Sequence, residues 1–529
     1  MTSSAEWWQR GVIYQIYPRS FQDSDGDGIG DLQGTIARLD YLAWLGVDAI
    51  WLSPVYPSPM ADFGYDISDY TSIDPVFGTL SDFDRLVAEA HRRGLNVIMD
   101  LVPNHTSDRH PWFLESRTAR GSAKRDWYVW RDPGPEGGPP NNWLSEFGGS
   151  AWEHDPASGQ YYYHAFLKEQ PDLNWRNPEV HAAMRQVLGF WFARGVDGFR
   201  IDVVHQLVED ATFRDNPPNP DFQPGEPPSH ALLRVHTIDQ PEVHDIIAEW
   251  RRVADRFGGR VLIGEIHLPI NRLVAYYGVE LGGIHLPFNF NLIGTRWSAE
   301  TLRNLVSSYE AALPPGAWPN WVLGSHDFPR IASRIGNRAA RLAAVLLLTL
   351  RGTPTMYYGD ELGMSDVAIP PQSVRDPFER NVPGQGMGRD PARTPMPWSD
   401  ETSGGFTKGM PWLPLGDYRH CNVKLQAQDP DSILWLYRRL IALRRTEPAL
   451  SLGSYEPLGL DPECLAYARR YDGRRIAVVL NFSEEPRRVA LPDDARHGHV
   501  LLSSREGSPP DSGRIVTVQP AEAQVLALE

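Results

Sequence analysis

Residues 95–102 read Leu95-Asn-Val-Ile-Met-Asp-Leu-Val102, an apolar run broken only by Asn96 and Asp100. A strand with one wet face alternates polar and apolar residues, whereas a nearly continuous run suits a parallel sheet covered on both faces. Upstream, Ser81 to Arg93 carries helical spacing and stops at Gly94. Before it stands a strand at Asp48-Ala-Ile-Trp-Leu-Ser53, preceded by a helix from Thr35 to Trp44 and a strand at Val12-Ile-Tyr-Gln-Ile-Tyr17. Strands alternating with helices in this way build parallel sheets.

Downstream the rhythm breaks. From Asn104 to about Asn177 the chain is rich in Gly, Pro, Trp and Tyr without a strong helix, which predicts a small subdomain inserted after strand three. Alternation resumes with a helix from Glu179 to Arg194 and strand four at Val196-Asp-Gly-Phe-Arg-Ile-Asp202. A Pro-rich loop (216–228), a helix from Pro241 to Phe257 and strand five at Val261-Leu-Ile-Gly-Glu265 follow. Strands six and seven are read at His285–Asn291 and Trp321–Ser325, and a helix from Arg338 to Leu350 leads to strand eight at Thr355–Tyr358. After a long loop, 364–429, and a helix from Ser432 to Arg445, the pattern beyond Pro448 becomes short alternating strands such as Arg475–Phe482. The expected fold class is α/β: a (β/α)8 TIM barrel over 1–103 and 178–448, an inserted subdomain over 104–177, and a C-terminal β-sandwich over 449–529. The length of 529 residues fits, because such barrels run to roughly 250–400 residues with insertions.

Composition narrows the partners. A net charge of −16 disfavours nucleic acid and anionic membranes, whose recognition needs clustered Lys and Arg. Cys421 and Cys464 make neither a disulfide framework nor a metal-ligand spacing. The opening Met1-Thr-Ser-Ser-Ala-Glu-Trp-Trp8 lacks the basic and apolar regions of a secretory signal. The most apolar stretch, Leu342 to Leu350, is too short to span a bilayer. A soluble, cytoplasmic monomer acting on a small substrate is expected.

In such barrels chemistry sits at the C-terminal ends of the strands. Asp202 ends strand four, Glu265 ends strand five and Asp327 follows strand seven. Arg200 lies two residues before Asp202 and so shares its face; a guanidinium there is expected to hold Asp202 ionised, as a nucleophile needs. Glu265 lies within Leu262-Ile-Gly-Glu-Ile266, and this apolar setting predicts a raised pKa and a protonated general acid. His326-Asp327 supplies an imidazole and an acid suited to sugar hydroxyls.

With these residues in place the chain resembles the α-glucosidase branch of the α-amylase family of glycoside hydrolases, near the oligo-1,6-glucosidases and trehalose-6-phosphate hydrolases. Asp100-Leu-Val-Pro-Asn-His105, Gly198-Phe-Arg-Ile-Asp202, Gly264-Glu265 and Ser325-His-Asp327 match the four main signatures in order. Gln170-Pro-Asp-Leu-Asn-Trp175 and Arg389-Asp-Pro-Ala-Arg-Thr-Pro-Met396 match further blocks of that branch. The resemblance implies Asp202 as nucleophile, Glu265 as acid/base and Asp327 as stabiliser of the distorted sugar. It implies that Asp62, Tyr65, His105, Arg200, His326 and Arg393 hold the terminal glucose, with Asp62 and Arg393 closing the pocket. Phe147, Phe166 and Gln170 would line its walls. Ser325 departs from the Asn usual before His-Asp. Val203, after the nucleophile, implies a preference for α-1,6 links such as isomaltose over α-1,4 links such as maltose.

Asp23-Ser-Asp-Gly-Asp-Gly-Ile-Gly-Asp31 places carboxylates at alternate positions with Gly28 at the turn. Gly34 in the twelfth position argues against a true EF-hand, yet hard oxygen ligands at this spacing suit Ca2+ or Mg2+. The family resemblance implies a structural ion on Asp23, Asp25, Asp27, Ile29 by its carbonyl, and Asp31. Three rival readings share the scaffold: a non-catalytic relative, a transferase such as a sucrose isomerase, trehalose synthase or transglucosidase, and a trehalose-6-phosphate hydrolase. The first loses catalytic acids, which this chain retains. The second differs only in what intercepts the glycosyl-enzyme. The third calls for a phosphate-binding cluster of Arg or Lys, which the sequence does not place.

Overall fold

Eight short strands, β1 (Ile13–Ile16), β2 (Ala49–Leu52), β3 (Asn96–Leu101), β4 (Gly198–Ile201), β5 (Val261–Gly264), β6 (Leu286–Asn289), β7 (Asn320–Val322) and β8 (Thr353–Tyr357), close into a parallel barrel. The ring is sealed where β1 meets β8, with Ile13 opposite Thr355. This computed structural model describes residues 5–529 apart from 460, 493, 496, 506–510 and 513. The first four residues of the opening segment, read above as lacking a secretory signal, lie outside the described residues.

Two apolar layers explain why β3 reads as a continuous run. Inside the barrel Ile13, Trp51, Ile98, Ile263, Phe288 and Val322 pack against one another. Outside it, strand residues such as Val97 and Met99 meet helix residues such as Leu86, Leu188, Trp191 and Trp250. The helix Leu80–Arg92 starts where its sequence dictates, with a capping box between Thr79 and Asp82. Gly94, at φ +75°, then takes the left-handed turn that stops it.

One helical expectation is corrected, and one helix is added. The stretch read as one helix from Thr35 to Trp44 is two, Leu32–Ala37 and Leu39–Leu45, parted at Arg38 (φ −104°, ψ 1°). Its start is fixed by Asp31, whose side chain accepts from Gly34 N. Between β6 and β7 the structure has a helix, Ala299–Ala312, that the sequence reading did not include. Its buried stripe consists of Ala299, Leu302, Val306 and Tyr309 among mostly polar neighbours, and Ser298 caps it.

Between β3 and the helix Pro178–Ala193 that precedes β4, the chain forms a short helix, Pro111–Ser116, a 3-10 turn, Arg125–Trp127, and a three-stranded antiparallel sheet of Trp130–Arg131, Gln160–Tyr163 and Trp152–Asp155. Asn104 binds the two ends of this insertion together: its carbonyl accepts from Leu173 N at 2.9 Å and its amide donates to Asp172 Oδ2 at 2.9 Å. The insertion is thereby held beside the C-terminal end of β3. The C-terminal region pairs a six-stranded antiparallel sheet with a two-stranded one, Arg487–Ala490 and Ile515–Val518. Ala466, Val479, Val489, Val516 and Leu526 fill the space between them. Among the described residues no helix is long and apolar enough to cross a membrane, and Leu342–Leu350 falls largely in the buried helix Asn337–Thr349.

Candidate active site

Strand register brings the acids together. Asp100 on β3 stands opposite Arg200 on β4, and Ile201 stands opposite Gly264 on β5, so Asp202 and Glu265 leave their strands side by side. Arg200 Nη1 donates to Asp202 Oδ1 at 2.7 Å and to Asp100 Oδ1 at 2.8 Å, while Nη2 donates to Glu265 Oε2. One buried guanidinium therefore serves three buried carboxylates. The bond to Arg200 is the one that the Asp202 side chain makes among the described residues, which leaves Oδ2 without a partner.

That economy sets the charges. Burial pushes Glu265 up, but Arg200 and then His267 outweigh it and hold its carboxyl well below the usual range. The Glu265 side chain accepts from Arg200 and Val203 N (3.0 Å), and His267 Nε2 lies 2.7 Å from Oε1. Asp202 has a single donor, and burial together with the neighbouring Glu265 and Asp100 carboxylates pushes it well above the carboxylate range against the pull of Arg200. Burial lifts Asp100 to about 7. Both electrostatic expectations from the sequence are thus corrected for the unliganded site: hydrogen-bond donors, not the apolar residues adjacent in sequence, decide the state of Glu265.

A cavity of about 820 Å³ opens over this cluster. Asp62, Tyr65, His105, Phe147, Phe166, Gln170, Asp202, Val203, Glu265, His326 and Asp327 all line it. Arg200 lies behind the wall, beneath Asp202. Tyr65 stacks on His326, with ring centroids 5.3 Å apart, and its hydroxyl donates to Asp100 Oδ2 at 3.1 Å. Gln15 Nε2 lies 2.8 Å from His326 Nδ1, and donation there leaves the ring proton on Nε2, facing Tyr65 Oη at 2.8 Å. Burial pushes both His326 and His105 down to about 3, so each is neutral. His105 Nε2 lies 3.0 Å from the Gln170 amide nitrogen and 3.2 Å from the Tyr65 carbonyl. Phe147 and Phe166 form an edge-to-face pair above them, with centroids 6.3 Å apart.

The expected pairing of Asp62 with Arg393 is corrected. Arg389 Nη2 donates to Asp62 Oδ1 at 2.6 Å. Arg393 is buried behind the wall and donates to the His326 carbonyl at 2.8 Å and to Asp327 Oδ1 at 3.1 Å. Both arginines belong to the quoted block 389–396, and nothing in the linear sequence separates their reach. Sequence reasoning also missed Glu146, Gln206, Arg234, His267 and Phe328 in the cavity wall. Glu146 of the insertion pairs with Arg234 beyond the Pro-rich loop, a contact between segments that carry no motif. The Ser325 substitution has a local function, since its hydroxyl accepts from Asp327 N at 3.2 Å and fixes the turn.

Away from the cavity, Asp23, Asp25 and Asp27 bring one carboxylate oxygen each within 4.8 Å of one another, a donor set that fits a hard dication. Gly28 (φ +92°) is required there, because a Cβ would sit 1.9 Å from the Met410 carbonyl. Asp31 stands outside this group of three; it accepts from Gly34 N at 2.6 Å and Ser24 N at 2.8 Å. Ile29 N donates to Asp27 Oδ1 at 2.7 Å.

Residues 15–453 match the α-amylase catalytic domain, and residues 458–526 match a domain of unknown function designated DUF3459. A probable α-glucosidase of Rhizobium meliloti (strain 1021) is 43% identical over 517 residues, covering 94% of each chain. An oligo-1,6-glucosidase of Parageobacillus thermoglucosidasius is 38% identical over 562 residues, covering 99% of each. Among solved structures, that of an α-glucosyl transfer enzyme, XgtA, superposes with a TM-score of 0.93 at 41% identity, over 99% of this chain and 100% of that one.

Proposed function

The chain belongs to the α-amylase family of glycoside hydrolases, and from that premise we propose that it is an exo-acting, retaining α-glucosidase of short oligosaccharides of the isomaltose or maltose type. The observation that carries this reading is Arg200, which holds Asp202 with one terminal nitrogen and Glu265 with the other. Two carboxyl groups on one guanidinium suit the spacing of about 5–5.5 Å found in retaining enzymes, not the about 6.5–9.5 Å that admits a water between them.

In this reading Asp202 reacts as its carboxylate, having released its proton to solvent, and Oδ2, the oxygen without a partner, attacks the anomeric carbon. Glu265, protonated at that stage, gives its proton to the glycosidic oxygen, and the leaving sugar departs as an alcohol. Water then attacks the glycosyl-enzyme while Glu265 takes a proton back, and glucose leaves with its configuration retained. Asp327, gripped by Arg389 and Arg393, faces the sugar hydroxyls with His326 and His105. The Asp62–Arg389 pair closes the far side of the pocket, which supports cleavage at a chain end. A sugar hydroxyl can replace water in the second half, and the likeness to an α-glucosyl transfer enzyme supports such transglucosylation as a side reaction.

Asp23, Asp25 and Asp27 are proposed to hold a structural Ca2+ or Mg2+, with the Ile29 carbonyl and the remaining lone pairs of Asp31 as further oxygens. The unpaired Cys421 and Cys464 suit a reducing, cytoplasmic setting, and a monomer is proposed. The test of the activity is Asp202→Asn: folded, substrate-binding and nearly without turnover, beside a wild type that releases the α-anomer first by NMR. Release of the β-anomer, or full activity of the variant, overturns the reading.

A further inference from the structure

His267 Nε2 lies 2.7 Å from Glu265 Oε1, the carboxylate oxygen that Arg200 does not touch. The imidazole stacks on Phe290, with ring centroids 4.5 Å apart, and Phe328 borders it at 6.0 Å. These rings fix its plane. The His267 side chain is 32% exposed against 6% for Glu265, and it lines the cavity, so it stands between the carboxylate and open water. The other ionisable groups around this point are His205 in the turn after β4, Arg200 on β4, Asp202 just beyond it, Asp100 on β3 and Asp327 after β7. His205, with its ring 5.9 Å from that of His267, is buried and pushed down to about 3, so it is neutral and holds no spare proton. Arg200 does not release one. Among the described residues, His267 is the group that reaches both Glu265 and solvent.

We propose that His267 is a positioning residue that orients the acid/base carboxylate and relays a proton to it from solvent. The inference rests on the reading of Glu265 as acid/base. Arg200, Val203 N and His267 hold Glu265 as a carboxylate in the open cavity. A sugar that fills the cavity expels water, and a buried charge then becomes less favourable than the neutral acid. The imidazole takes a proton from solvent and passes one from Nε2 to Oε1, which leaves a neutral imidazole and a carboxylic acid. Glu265 gives this proton to the leaving oxygen and regains one from the attacking water, so the cycle consumes none.

His267 is one of the groups that hold the Glu265 carboxyl down, so removing the imidazole leaves Glu265 with fewer partners for its charged form, and its proton is lost at higher pH. The experiment compares wild type, His267→Phe and His267→Gln on isomaltose, maltose and 4-nitrophenyl α-glucoside. The Phe variant keeps the stack on Phe290, and the Gln variant keeps an N–H donor that cannot relay a proton. Both are expected to lose at least tenfold in kcat/KM on the disaccharides, with the alkaline limb of the profile moved up, further in the Phe variant than in the Gln variant, which keeps a donor. On the nitrophenyl glucoside, whose phenolate departs without protonation, the loss stays below threefold. Equal losses on all substrates with an unmoved pH profile overturn the proposal and leave His267 as packing. A wild type that cleaves none of the three overturns both this proposal and the α-glucosidase reading.

Discussion

Arg389 sets Nη2 2.6 Å from Asp62 Oδ1 and 2.7 Å from Asp376 Oδ1, while Nη1 lies 3.2 Å from Asp327 Oδ1. A single guanidinium thus ties together the loops that follow β2 and β7 and the long loop after β8. Lysine cannot do this, because an ammonium is a point donor without a planar fork. Asp62→Asn is expected to fold, since Arg389 keeps Asp376, and to lose about tenfold to a hundredfold in kcat/KM through loss of the sugar contact. Arg389→Lys is expected to lose as much activity and also several degrees in Tm, because it leaves buried carboxylates unpaired. The double variant is expected to show less than the sum of the two activity losses. Fully additive losses in kcat/KM would remove the Asp62–Arg389 pair as a functional unit.

The barrel was legible because burial on both faces of β3 and β4 leaves apolar runs, and because the acids end strands whose limits are visible in the pattern. The assignment of Arg393 failed because two arginines four residues apart in an irregular segment differ only in which way the backbone turns. The state of Glu265 failed for a related reason. Leu262, Ile263 and Ile266 are its neighbours in sequence, but its partners are Arg200 from the adjacent strand and His267 from the loop beyond. The helix Ala299–Ala312 was missed because a cap and a narrow buried stripe, rather than a broad apolar face, hold it in place.

Asp360 gives a pH dependence that can be read as stability. Burial pushes its carboxyl up to about 7, with Arg330 opposing, and Oδ1 finds no hydrogen-bond partner among the described residues. A carboxyl with a folded pKa above its unfolded one favours the folded state fully below the unfolded value, about 4. That advantage is lost as pH rises through about 7. Asp360→Asn removes the titration. The Tm of the variant relative to wild type is therefore expected to rise between pH 5 and pH 8, by on the order of a few degrees. A Tm difference that stays flat across that window would show that Asp360 does not titrate inside the fold.

The acidic loop from Asp23 to Asp31 is anchored to the long loop after β8: Asp23 Oδ2 accepts from Thr407 Oγ1, and Trp412 N donates to the Gly28 carbonyl at 3.0 Å. A dication there acts on the fold, because a ligand bound only by the folded state stabilises it by mass action. Chelation is expected to lower Tm by several degrees while leaving kcat on isomaltose within about twofold at temperatures below the melt. Adding Ca2+ or Mg2+ back should restore the melt, and Asp25→Asn should weaken that recovery. Identical melts with chelator and with metal would leave the loop as a solvated acidic turn.

Val203 carries the last expectation, and its backbone explains why the residue is unusual. At φ +35° and ψ +43° it occupies the left-handed region, where a β-branched side chain is a true outlier. The conformation aims its N–H at Glu265 Oε2, 3.0 Å away, and turns its side chain into the cavity wall beside Asp202. Strain of this sort costs on the order of 1–3 kcal/mol and persists where the surroundings fix it. Two methyls at that point crowd the sugar beyond the scissile bond in one linkage geometry and pack against it in the other. Wild type is expected to prefer isomaltose to maltose, and Val203→Ala to shift the ratio of kcat/KM toward maltose by roughly tenfold to a couple of hundredfold. A melt separates this from simple packing, since Ala both relieves the branched strain and gives up buried methyl surface. Should the ratio stay where it was while only Tm moves, Val203 serves the fold and the linkage preference has another source.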